Sequence, residues 1–164
     1  MAILINKDSK VIVLGITGKS GALQTKAMLD AGTDIVAGVT PGKGGQEVYG
    51  VPVYNFVSEA AAEHEFDTAI CFVPPFAAKD SCYEAIDAGV GLVVLTTEEM
   101  ELNDSVEIIE YAHAHGATLV GPGCAGVLAP EECKVGAHPI RFFKKGHVGV
   151  VSKSGALSYE IGKT

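Results

Sequence analysis

The sequence predicts an alternating α/β fold with a parallel sheet and helices on both faces. Three observations carry this. Short apolar runs recur along the chain, amphipathic stretches alternate with them, and three of those stretches close on a glycine (Gly32, Gly89 and Gly116) followed by the next apolar run. Repeated units of this size bury their apolar faces when helices cross back over a sheet whose strands run one way. Such sheets bind ligands at the carboxyl ends of their strands, so function is sought in the turn after each strand.

In chain order, residues 11–14 form a β-rich run that ends at Gly15. Residues 21–31 come next as a helix with Leu23, Ala27 and Ala31 at helical spacing, stopped by Gly32. Residues 34–39 are the second strand. Residues 58–65 form a short helix with Ser58 as its cap. Residues 68–73 are the third strand, ended by Pro74-Pro75, and residues 77–88 form a helix with Ala78, Cys82 and Ala85 on one face. Residues 91–95 are the fourth strand. Residues 102–115 form a helix with Leu102, Val106 and Ile109 inward, and residues 117–120 are the fifth strand. The rhythm breaks over residues 121–147. A new strand is expected at 148–151, a turn at 152–155 and a helix from Ala156. One strand and half a helix bury no core, so a first domain over 1–146 and the start of a second over 147–164 are expected.

Composition narrows the function. The 164 residues carry 12 basic and 20 acidic side chains, a formal charge of −8, and Arg141 is the only arginine. That balance argues against gripping a nucleic-acid backbone or an anionic membrane surface. No apolar run approaches the 18 or so residues of a membrane span, and residues 1–10 lack a leader's apolar core. Cys71, Cys82, Cys124 and Cys133 include no C-x-x-C pair, and the five histidines include no H-x-x-x-H. Free thiols in a reducing cytoplasm are expected, with no metal site.

The turns after the strands carry the chemistry. Gly15-Ile16-Thr17-Gly18-Lys19-Ser20-Gly21 reads G-x-x-G-x-x-G at a helix start. Glycines let backbone amides approach a phosphate, the helix end adds positive potential, and Lys19 adds a full charge. The loop is neither a Walker motif nor the dinucleotide fingerprint, whose second glycine is Thr17 here. A ligand-free tight turn would give the same residues. After the second strand, Thr40-Pro41-Gly42-Lys43-Gly44-Gly45 offers a lysine where an NAD site would place an acid. A lysine suits a ribose that carries a phosphate, as in NADP or coenzyme A; a flexible solvated turn is the alternative. After the third strand, Phe76 either covers an adenine or belongs to the core. Thr96-Thr97-Glu98-Glu99 after the fourth strand either bonds a ligand or caps the next element, and Ser152-Lys153-Ser154-Gly155 opens another helix.

Several blocks together resemble the α subunit of succinyl-CoA synthetase. They are Gly15-x-Thr17-Gly18-x-x-Gly21, Gly38-Val39-Thr40-Pro41-Gly42-Lys43-Gly44-Gly45, Asp80-Ser81 with Glu84-Ala85-Ile86-Asp87-Ala88-Gly89, Gly121-Pro122-x-Cys124, and Val151-Ser152-x-Ser154-Gly155-x-Leu157-x-Tyr159-Glu160. The likeness runs from Ile3 to Glu160. It implies a Rossmann-like coenzyme A-binding domain, followed by the first strand and helix start of a truncated flavodoxin-like domain. The family joins succinate to CoA with ATP or GTP, through a phosphohistidine. Magnesium and the nucleotide are held by a β subunit.

Carried over residue by residue, the resemblance assigns Gly15, Thr17, Gly18, Lys19, Ser20, Gly21, Val39, Pro41, Lys43, Val73, Pro74, Thr96, Thr97 and Glu98 to coenzyme A. It assigns Tyr159 and Gly123 to the acid substrate. The family's phosphorylated histidine has no counterpart among the five here, so this chain is expected to bind CoA without turnover. Gln24 stands where the succinate enzymes usually have histidine, and Gly123-Cys124-Ala125 where they have Asn-Cys-Pro. These departures leave succinate, malate, citrate or another carboxylate open. A free-standing CoA-binding module and an NADP-dependent reductase domain are the rival readings.

Overall fold

A computed structural model describes residues 3–163 of the chain. Its elements in order are β1 (Lys10–Leu14), α1 (Lys19–Leu29), β2 (Asp34–Val39), β3 (Glu47–Val48), β4 (Val51–Tyr54), α2 (Val57–Glu63), β5 (Thr68–Cys71), α3 (Pro75–Asp87), β6 (Leu92–Leu95), α4 (Leu102–Ala114), β7 (Thr118–Val120), β8 (Gly126–Ala129), β9 (Cys133–Gly136) and α5 (Gly155–Lys163). Seven strands form one sheet in the order β3-β4-β2-β1-β5-β6-β7. All neighbours run parallel except the edge pair β3–β4. The chain leaves β1 toward β2 and β4, then returns through α2 to β5 and proceeds the other way. The order therefore reverses between β1 and β5, where a ligand crevice opens in folds of this class.

The central strands read as continuous apolar runs because both faces are covered. Alternation along β1 divides the core. Ile12 and Leu14 join Val57 and Ala60 of α2, Ala78, Cys82 and Ala85 of α3, and Ile108 and Ala112 of α4. Val11 and Val13 join Met28 of α1 and Ala129, Cys133 and Val135 of the β8–β9 hairpin. One face thus carries three helices, and the other carries one helix and a hairpin. Each fully buried Val, Leu or Ile contributes about 1.5–3 kcal/mol through apolar surface removed from water.

Two hairpins escape the periodicity argument. The β3–β4 pair is short, with Glu47 opposite Pro52 and Val48 opposite Val51. The β8–β9 pair lies in the stretch where the rhythm breaks. It is anchored by Thr33 Oγ1, which donates to the Lys134 carbonyl at 2.7 Å and accepts from the Lys134 amide at 3.1 Å.

Helix rotation also differs from expectation. In α1 the inward residues are Gly21, Thr25 and Met28, and Leu23 is 64% exposed. The reason is Gly21, where a Cβ would overlap the Gly15 carbonyl oxygen; that close approach turns the Gly21 side of the helix onto the sheet. In α4, Ile108 and Ala112 are buried, whereas Leu102, Val106 and Ile109 are exposed. In this rotation Lys79 of α3 pairs with Asp104 at 2.6 Å and Glu107 at 3.1 Å, and Tyr83 stacks on Tyr111. Ser58 does not cap α2. Phe56 is the N-cap residue, and the Val57 amide donates to Glu84 Oε1 of α3 at 2.7 Å.

The strand expected at 148–151 does not form among the described residues. Val148 and Val151 are exposed, the latter by 95%, and no neighbouring strand offers a ladder. The helix expected beyond it does form, as α5.

Candidate functional site

Five loops extend from β1, β2, β5, β6 and β7 at the carboxyl ends of the parallel strands, and short contacts join them. Gly15 has φ +80°, and a Cβ there would sit 2.8 Å from the Phe72 carbonyl oxygen and 3.2 Å from Val73 Cγ1. Glycine therefore lets the first and third loops touch at the crevice between β1 and β5. The Gly15 amide donates to the Val39 carbonyl at 2.7 Å, and the Thr17 amide approaches Thr40 Oγ1 at 3.4 Å, which ties the first loop to the second. Thr96 Oγ1 donates to the Cys71 carbonyl at 2.6 Å and Thr97 Oγ1 to the Val73 carbonyl at 2.8 Å. The Gly123 amide donates to the Thr97 carbonyl at 2.9 Å, which brings in the fifth loop.

The electrostatics of this crevice suit an anion. Helix α1 starts at Gly18, with no side-chain cap and no acid in its first turn. Helix α3 starts at Pro74, again with neither. The first-turn amides of α1 at the exposed Lys19 and Ser20 have no carbonyl four residues earlier within the helix, so they remain available to a ligand. By contrast, the first turns of α2 and α4 carry Glu59 and Asp104. Lys19 and Lys43 are exposed, and none of the ion pairs among the described residues uses them. Their charges are unspent on the protein itself.

Each residue expected to matter can be placed. Gly15, Thr17, Gly18, Lys19, Ser20 and Gly21 form the β1–α1 turn, and Lys19, Ser20 and Gly21 already belong to the helix. Val39 ends β2, with Pro41 and Lys43 in the loop beyond it. Val73 and Pro74 join β5 to α3. Thr96, Thr97 and Glu98 come after β6, with Thr97 buried and Glu98 exposed beside Gly123. Phe76 is 87% exposed, so it does not belong to the core. Tyr159 stands apart from the other candidates: its ring lies 5.5 Å from that of His138 on the β9 side. Helix α5 nonetheless starts close to the fifth loop, since a Cβ on Gly155 would lie 3.2 Å from Ala125 Cβ. Its first turn is capped from within, by Ser154 Oγ accepting from the Leu157 amide at 3.4 Å.

Sequence reasoning missed Asn55, at the end of β4. Its Oδ1 accepts from the Gly42 amide at 2.9 Å and the Gly44 amide at 3.1 Å. The partners lie 13 and 11 residues apart in sequence, so no local pattern announces them. A cavity of ≈ 250 Å³ opens beside this contact, lined by Gly44, Gln46, Tyr54, Asn55 and Glu59 among others.

All four cysteines are free, and burial pushes the Cys124 thiol up, which disfavours a nucleophilic thiolate there. Among the described residues no cluster of His, Cys, Asp or Glu could hold a metal ion, and no helix is long and apolar enough to cross a membrane.

His138 sets a pH dependence. Its Nε2 lies 3.0 Å from the Gly126 carbonyl, an acceptor only, so that nitrogen carries the proton. The buried Nδ1 has no partner. Burial lowers the pKa of His138 below 6.5, a direction that Lys134 reinforces and the Gly126 contact opposes. The unfolded chain therefore takes up a proton more readily, and this contribution to stability is complete above about pH 6.5 and lost as pH falls below it. Chemical denaturation at about pH 7.5 and pH 5.5 should show a loss of stability that His138→Gln reduces. An equal loss in the variant would exclude His138 as its source.

Comparison with known proteins adds to this geometry. A family described as the CoA binding domain matches residues 6–99. The chain is 51% identical over 161 residues to the succinate–CoA ligase [ADP-forming] subunit alpha 1 of Archaeoglobus fulgidus, covering 98% of this chain and 55% of that one. It is 52% identical over 163 residues to the succinate–CoA ligase [ADP-forming] subunit alpha of Aquifex aeolicus, covering 98% and 53%. The chain thus spans about half the length of the curated relatives it matches. In fold it is similar to ATP citrate lyase from Methanothrix soehngenii, solved in complex with citrate and coenzyme A. There the TM-score is 0.85 at 23% identity, with 98% of this chain and 29% of that one covered.

Proposed function

This chain belongs to the CoA-binding domain family, in the form found in succinate–CoA ligase α subunits, and from that premise we propose that its loop cluster is the coenzyme A site of an acid–CoA ligase. The observation that carries the reading is the pairing of uncapped, acid-free helix starts at the β1–β5 crevice with two lysines that make no protein ion pair. A pyrophosphate fits the amides of Lys19 and Ser20 with the Lys19 charge, and Thr17 and Gly18 shape the turn. A phosphorylated ribose fits Lys43, flanked by Val39 and Pro41. Val73 and Pro74, held by Thr97, would border the remainder of the ligand together with Thr96 and Glu98.

Coenzyme A, when bound, supplies the thiol that receives the acyl group in the family's reaction. The residues here bind and orient it; no catalytic side chain is proposed within this chain. Residues 1–146 act as the CoA-binding domain, and 147–164 correspond to the opening of a second ligase domain. Gly123 and Tyr159 are proposed to border the acid substrate, succinate or a related carboxylate. A β subunit would bring Mg and ATP or GTP, and the phosphohistidine would lie outside this chain. The setting is cytoplasmic, in line with the free cysteines.

Calorimetric titration with CoA, dephospho-CoA and NADP tests the reading. CoA should bind, dephospho-CoA more weakly, and NADP not at all. Binding of NADP in preference would replace it with the reductase reading, and failure of all three would remove the site.

A further inference from the structure

We infer that Asn55 is a positioning residue that holds Lys43 in place to read the ribose phosphate. This rests on the coenzyme A reading above.

The second loop needs an external clamp. Residues 41–45 are all exposed, and three of the five are glycine. Gly42 and Gly45 have positive φ, at +76° and +82°. Such a segment has a large conformational freedom to lose, and its charged residue would otherwise sample many positions. Within the loop, the Lys43 amide donates to the Thr40 carbonyl at 3.0 Å. The Gln46 amide donates to the Lys43 carbonyl at 3.3 Å, and the Gly45 amide to the Val53 carbonyl at 2.9 Å. The two amides that flank Lys43 are held by one atom, Asn55 Oδ1. It accepts from the residues on either side of Lys43, Gly42 at 2.9 Å and Gly44 at 3.1 Å. Two hydrogen bonds that straddle a residue fix the position and direction of its Cα.

The clamp is itself anchored. The Asn55 amide donates to Glu59 Oε2 at 2.9 Å, and the neighbouring Tyr54 carbonyl accepts from the Thr40 amide at 2.9 Å. Gly44 completes the fit, because a Cβ there would overlap Asn55 Nδ2 and lie 2.8 Å from Asn55 Cγ. The choice of amide over acid reflects the ligand. A carboxylate would accept the same two amides but would place a negative charge beside a lysine meant for a phosphate. An amide accepts without charge.

The test is the ratio of dephospho-CoA Kd to CoA Kd, with hydrogen exchange at the Gly42 and Gly44 amides as a ligand-free readout. Asn55→Ala should speed exchange at both amides and lower the ratio by roughly three- to tenfold, the range of one net hydrogen bond. In a Lys43→Ala background the same change should leave the ratio where Lys43→Ala alone puts it, since the residue acts through that lysine. Asn55→Asp should keep both amides protected yet lower the ratio, which provides a reading should the alanine variant not fold.

Unchanged exchange in Asn55→Ala would overturn the clamp. An unchanged ratio, or an equal fall with and without Lys43, would overturn the positioning role while leaving the coenzyme A site intact. A wild-type ratio near one would remove the phosphate reading and this role together, and it is seen before any variant is measured.

Discussion

Gly21→Ala should lower the stability of the chain by about 3 kcal/mol or more and abolish CoA binding. A Cβ at this position would overlap the Gly15 carbonyl oxygen, with Gly15 C at 2.9 Å and Ile16 Cα at 3.1 Å. All three obstacles are backbone, so no side chain can swing aside. Overpacking in a close-packed interior usually costs about 1–3 kcal/mol, and an immovable obstacle lies at the upper end or beyond. Relief requires α1 to lift off the β1 turn, which also displaces the amides of Lys19 and Ser20. Out of a total stability of about 5–15 kcal/mol this is a large fraction. Urea unfolding should show a lower midpoint with an unchanged slope. Leu23→Ala, exposed on the same helix, should stay within about 0.5 kcal/mol and serves as the control. A Gly21→Ala protein of wild-type stability would mean that α1 does not rest on the turn.

Lys43→Ala should erase most of the preference for CoA over dephospho-CoA. A hydrogen bond to a charged group contributes about 1.5–3 kcal/mol, which converts to a Kd ratio of roughly 10- to 150-fold. Lys43 is exposed, so salt should shrink the wild-type ratio as well. The affinity for dephospho-CoA should hardly change, because the lost partner is absent from that ligand. Lys26→Ala is the matched control: it removes one positive charge, but from a lysine that already pairs with Asp30 at 2.9 Å. If both lysine variants lower the ratio alike, general charge accounts for the preference and Lys43 has no special place.

The glycine stops at Gly32, Gly89 and Gly116 were legible as sequence because each marks a left-handed backbone, with φ of +83°, +88° and +71°. The strand over Asp34–Val39 was legible residue for residue, since beyond the exposed Asp34 it is an unbroken apolar run, as a strand covered on both faces requires. The loop residues that converge on the crevice could be named in advance because a parallel sheet brings all its post-strand turns to one edge. The hairpins, the rotation of α1 and α4, and the role of Asn55 could not.

Sequence by itself therefore determined five of the parallel strands (β1, β2, β5, β6 and β7), the helices between them with their glycine stops, and which turns carry glycines and lysines. Those properties are local: backbone preference, apolar periodicity and turn chemistry act within a few residues. The hairpins went unseen, and the strand expected at 148–151 does not form among the described residues. Tertiary structure decided the remainder. Helix α4 buries Ile108 and Ala112 rather than Leu102, Val106 and Ile109, and in that rotation Asp104 and Glu107 pair with Lys79 of α3. Helix α1 is turned by the contact between Gly21 and Gly15, and the lysine loop is held by an asparagine beyond a hairpin. The α4 and loop contacts join residues that share no local pattern; Gly15 and Gly21 share one glycine motif, but which face of α1 it turns inward is set only once the chain has folded.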